Sequence, residues 1–118
     1  KVSKENGKVT TAFNGATIAD GIAVKTPGNT TFEIINELVD EVVVVEEDEI
    51  AQGMLFLMEN QKVVAEGAGA VTTAALLSGK YVPKKDENVV PLDTILSGSD
   101  NSKNTTPNNI QSFFSNAA

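Results

Sequence analysis

The chain has 118 residues, 41% hydrophobic and 21% charged, which is enough for one small core and too little for two. It contains no His, Cys, Trp or Arg, and all nine of its cations are lysines. His-dependent catalytic relays, ordinary zinc sites, disulfides and CxxC redox chemistry are therefore excluded. Sixteen acids leave a formal charge of -7, which repels nucleic-acid phosphates and anionic membranes. No apolar run approaches the roughly 18 residues of a membrane span, and no signal-peptide pattern is visible. The composition reads as a soluble, cytoplasmic protein with neither nucleic acid nor membrane as partner. The first residue is Lys1 rather than Met, as in a processed product or a fragment.

Residues 1–16 are polar, carry Gly7 and Gly15, and show neither a helical nor a strand period, so a loop or short edge element is expected. The stretch from Thr17 to Asn29 is punctuated by Gly21, Pro27 and Gly28 and reads as a connection that turns sharply at least twice. Thr30 and Glu33 then fit a capping box. Phe32, Ile35, Leu38 and Val39 fall on one face of a helix predicted over 31–39. The run Val42 to Val45 has the β-branched dress of a strand buried on both faces of a parallel sheet.

Glu46-Glu47-Asp48-Glu49 opens a helix over roughly 47–61, its acids placed where the helix dipole favours them. Glu46 itself is a poor N-cap. Ile50, Met54, Leu57 and Met58, widened by Leu55 and Phe56, predict that this helix is largely buried. Gly53 within it implies close packing. An Ala- and Gly-rich helix over about 67–78 stops at Ser78-Gly79, and its small residues let a neighbouring backbone come near. A loop over 82–87 leads to a second strand candidate, Val89 to Leu96, weakened by Pro91. Ten of the eighteen residues 101–118 are Asn, Ser or Thr, which predicts a disordered tail.

Four features could carry chemistry. Seven carboxylates lie between Glu37 and Glu49, but the Val run interrupts them, so a solvated face with helix-dipole placement is favoured over a calcium loop. No metal site is expected. Glu66 stands at the mouth of a glycine-flanked helix with no other charge for three residues on either side. It reads either as an acid stabilised by the helix dipole or as a ligand-facing group. Ser97 ends a buried strand candidate and precedes Gly98, a place where open α/β sheets bind ligands, although a turn serine would look the same. Ala19-Asp20-Gly21 is a tight turn with an acid.

Together, TIADGIAV, the PGN-T segment, LVDEVVVVEEDEI and QKVVAEGAGAVTTAALLSGK make the chain resemble the threonine dehydratase (threonine ammonia-lyase) family, with serine racemase and serine dehydratase as close relatives. The resemblance runs from Thr17 to Lys80. It implies an α/β architecture in which an open, mostly parallel sheet carries flanking helices, namely the large-domain portion of a fold-type II pyridoxal-phosphate enzyme. It also implies that residues 17–101 form the C-terminal portion of that catalytic domain, between a poorly assigned segment 1–16 and the tail 102–118. Pyridoxal 5'-phosphate is the implied cofactor and an amino acid the implied substrate. In the complete enzyme, L-threonine would be deaminated to 2-oxobutanoate and ammonia. Ser97 matches the serine that hydrogen-bonds the pyridine nitrogen, Glu66 the glutamate close to the ring, and Gly21 the glycine whose backbone approaches the cofactor.

The family's Schiff-base lysine, its phosphate- and substrate-binding loops and its carboxylate cation site have no counterpart in this sequence, and no catalytic residue is assigned. The family has LSGGN where this chain has Leu96-Ser97-Gly98-Ser99-Asp100-Asn101, an alteration beside Ser97. The expected partners are the rest of the catalytic domain or further copies of the chain, and the chain alone is expected to be inactive. A non-catalytic remnant, or an interaction module associating with a full-length relative, is the alternative.

Overall fold

The computed structural model describes residues 1–12 and 15–90. The expectations for Ser97, for most of the second strand candidate and for the tail lie outside those residues.

The polar N-terminal segment is not a plain loop. Val2–Asn6 forms a short helix, α1, closed by Gly7 at φ 65, the left-handed conformation that glycine adopts without a Cβ penalty. Five residues are too few to show a period, which is why the sequence pattern missed it. The connection that follows turns through a 3-10 segment, Asp20–Ile22. Helix α2 then spans Asn29–Leu38 with Gly28, not Thr30, at its N-cap, so the expected capping box does not form. Beyond its other end, the Lys4 ammonium donates to the carbonyl oxygens of Val39 at 2.7 Å and Asn36 at 3.4 Å. That cation satisfies carbonyls that a helix C-terminus leaves open and joins α1 to α2.

Only part of the apolar stripe of α2 is covered. Phe32 is buried, whereas Leu38 is 71% exposed. The Val42–Val45 run forms no strand, and no paired strand occurs among the described residues. A strand exists only through its ladder, and these valines meet no second strand to share one. Val45 packs on the core, while Val44 is 48% exposed.

Helix α3, Glu47–Phe56, continues into a π-helical turn, Leu57–Gln61, which together match the expected bounds. Glu46 stands at the N-cap within a capping box, in which its backbone N–H donates to Glu49 Oε2 at 2.6 Å. One face of this helix is covered, at Ile50, Gly53, Met54 and Leu57, but Leu55 and Met58 are exposed, so it is less buried than its composition suggests. Lys62 ends the turn in the left-handed conformation.

Helix α4, Gly67–Leu77, packs against α3. A Cβ added at Gly53 would lie 3.0 Å from the Ala70 carbonyl oxygen and 3.1 Å from the Ala74 nitrogen, so the two backbones meet with no side chain between them. Lys80, just beyond α4, reaches Glu49 Oε2 at 2.7 Å, which makes the two helices antiparallel neighbours. Ala19, Ile50, Ala70 and Ala74 form the small buried core. Transferring such apolar surface from water is the main favourable contribution to folding, and here it is concentrated between α3, α4 and the 3-10 turn.

Candidate functional site

Two of the three expected site residues meet. Gly21 and Glu66 are 45 positions apart in sequence, yet a Cβ at Gly21 would sit 3.5 Å from Glu66 Oε1 and 3.2 Å from Ala68 Cβ. The first residues of α4 therefore form one wall against which the 3-10 turn is laid. Ser97 lies outside the described residues.

The wall is set by two glycine contacts. At Gly67, the first residue of α4, a Cβ would come within 2.1 Å of the Ile18 carbonyl oxygen and 3.0 Å of the Ala19 nitrogen. No L side chain fits there without moving backbone. Ala19, 2% exposed, is sealed into the core beside this contact. The next turn then brings Gly21 over Ala68 and the Glu66 carboxylate. Small residues at 67 and 68 were visible in the sequence as an Ala/Gly block, but nothing in their spacing said which backbone they admit.

Glu66 occupies the N-cap position of α4, and its side chain does not cap that helix. Both Glu66 and Gly21 are exposed, so the carboxylate and the turn face open space rather than the core. The upstream side of the turn is tied by a different acid. Glu47 Oε2 accepts the Ile18 backbone N–H at 2.9 Å. A hydrogen bond from the Thr17 side chain, with that of Ile18, holds the Glu47 carboxyl below its usual range. The Thr17 hydroxyl oxygen in turn accepts the Ala19 N–H at 3.1 Å. Beside these elements opens a largely apolar cleft of about 760 Å³, whose lining includes Ile22, Val24, Phe32, Ile35, Val43 and Val45. No group of three or more acids that could hold a metal ion occurs among the described residues. No helix among them is long and apolar enough to cross a membrane.

Residues 2–94 match the family described as pyridoxal-phosphate dependent enzyme. The chain belongs to that family. It is 54% identical over 78 residues to the catabolic L-threonine dehydratase TdcB of Escherichia coli strain K12, a match covering 66% of this chain and 24% of that protein. Among solved structures it resembles the T.th. threonine deaminase, with a TM-score of 0.66 and 33% identity over 70% of this chain and 30% of the other. It also resembles maize serine racemase, with a TM-score of 0.62 and 38% identity over 67% of this chain and 24% of that one. The chain thus spans about a quarter of the length of the curated relative it matches.

Pyridoxal phosphate is the cofactor on which this family depends. The described residues fit one side of such a group. A Cβ at Gly21 would crowd the Ala68 methyl and meet a Glu66 carboxylate oxygen, so the backbone stays bare of a side chain there, as close approach of such a group requires. Lys4 is engaged at a helix end and Lys80 in an ion pair.

Proposed function

We propose that this chain supplies one wall of the pyridoxal-phosphate site of a threonine or serine dehydratase, in which L-threonine is deaminated to 2-oxobutanoate and ammonia. The observation that carries the reading is the approach of Gly21 to Ala68 and Glu66 Oε1. When bound, pyridoxal phosphate supplies an electron sink for the amino acid's α-carbon. The chain's own contribution is positional. Gly21 keeps the wall free of a side chain, Ala68 presents an apolar face, and Glu66 holds a negative charge at the open end of α4. Ser97 is assigned as partner of the ring nitrogen through its match to the family's serine. A neutral hydroxyl there leaves that nitrogen unprotonated, which suits elimination of water.

The cleft beside Val42–Val45 is the natural place for strands from the rest of an α/β domain, and that portion would bring the anchoring lysine and the phosphate loops. The purified chain with pyridoxal phosphate should therefore develop no protein-bound visible absorbance and release no 2-oxobutanoate from L-threonine. Co-expression with the N-terminal portion of the Escherichia coli relative should restore both, and Gly21→Val should abolish both again. Within that complex Ser97→Ala should lower cofactor affinity or turnover, and Ser99→Ala should matter little. Turnover of threonine by the chain alone would overturn the assignment.

A further inference from the structure

The loop that carries Gly21 reaches its place through Thr17, Ile18 and Ala19, which three contacts hold. Gly67 receives the Ile18 carbonyl, the core receives Ala19, and one side chain from α3 receives the Ile18 N–H and the Thr17 hydroxyl. The first two are contacts of bulk, which bring backbones close but do not orient the Ile18 N–H. The third is directional, because a carboxylate oxygen 2.9 Å from an N–H fixes both distance and angle.

We infer that Glu47 is a positioning residue, which holds the Thr17–Ile18 backbone to the start of α3 and thereby fixes where Gly21 lies over Glu66 and Ala68. This rests on the reading of Gly21 and Glu66 as one wall of the cofactor site and adds to it the group that sets the wall's spacing. Glu47 does not touch that wall itself. Among the four acids that open α3, Glu46 and Glu49 serve the capping box, and Glu49 also holds Lys80. Glu47 is the one whose side chain reaches into the glycine loop. A first-turn acid stabilised only by the helix dipole would point to solvent and make no such contact.

Amide hydrogen exchange and backbone NMR of the full chain test the assignment, with Glu47→Ala, Glu47→Gln and Asp48→Ala compared. Glu47→Ala is expected to speed exchange of the Ile18 amide about fivefold and to move the Gly21 amide resonance, while Ile50 and Ala74 amides stay in place. Glu47→Gln keeps an acceptor oxygen and should restore both signals. Asp48→Ala removes an acid from the same helical turn and should change neither. Unchanged Ile18 and Gly21 signals in Glu47→Ala would overturn the inference. So would equal loosening at Ile50 and Ala74, or loss of the fold, since the residue would then support the whole core between α3 and α4. No cofactor enters these measurements, so they succeed or fail separately from the reconstitution of the cofactor site.

Discussion

The two halves of this molecule differ in how closely their backbones approach one another. Where α3, α4 and the 3-10 turn meet, the buried residues are mostly small: Gly53, Gly67, Ala70 and Ala74 let backbones touch, with Ile50 as the large buried side chain of that cluster among the described residues. Around α2 and the valine run the side chains are larger, and many are open to solvent, including Ile34, Leu38 and Val44. Hydrophobic content is therefore a poor guide to where this chain is held together. Closeness of approach is a better one, because dispersion and exclusion of water both require contact.

That contrast can be broken most forcefully at Gly67. Gly67→Ala places a methyl 2.1 Å from the Ile18 carbonyl oxygen, and the loop must move. A loss of about 3 kcal/mol is expected from the urea midpoint, more than α4 gains by exchanging Gly for Ala. Gly53→Ala should cost about 1 kcal/mol, because contacts of 3.0 and 3.1 Å with the backbone of α4 outweigh better helix propensity. If it stabilised the chain instead, the α3–α4 contact would be looser than described.

Three hydrogen-bonded carboxyls give a pH signature. Glu49 is held below the usual carboxylate range, first by the hydrogen bond from Lys80 and next by the Glu46 N–H. Glu47 and Glu87 are lowered as well, Glu87 mainly by its hydrogen bond with Tyr81. A carboxyl lowered on folding stabilises fully above its unfolded value, and the contribution disappears as pH falls through the folded value. Thermal midpoints should therefore drop on acidification through and below the ordinary glutamate range, and the drop should be shallower in Lys80→Ala. At the open half, Val44→Thr should shift the midpoint by less than about 0.5 kcal/mol in the chain alone. The same change should cost clearly more once a complementary portion covers the valines. Smallest of all is Glu46→Ser. With the capping box already formed through Glu49, the gain expected from a better cap should shrink to a few tenths of a kcal/mol at most.

Much of the packed half was legible because its signals are local. The acid-led start at Glu47, the stop at Ser78-Gly79 and the meaning of Gly53 all concern residues within a turn or two of one another. At Glu46 the ranking of single capping side chains missed the part played by Glu49, which accepts the Glu46 N–H. Val42–Val45 reads as a strand because β-branched runs report what a segment prefers, whereas pairing depends on a partner elsewhere. The approach of Gly21 to Glu66 has no local signature at all. Only resemblance to a family placed them in one site, and the contact appears once the backbone of Ile18 and Ala19 is laid over Gly67.

The wide turn at Leu57–Gln61 carries a consequence for insertions and deletions. A π turn is an α-helix with one residue too many, and each residue of an α-helix advances the chain by about 100°. Removing one residue from Met58 to Asn60 should therefore let the turn close to regular winding with Lys62 still at its left-handed exit. An added residue finds no such slack, and it would rotate the exit by about 100° and carry Glu66 away from Gly21. Here the chain should accept a shortening far more readily than a lengthening.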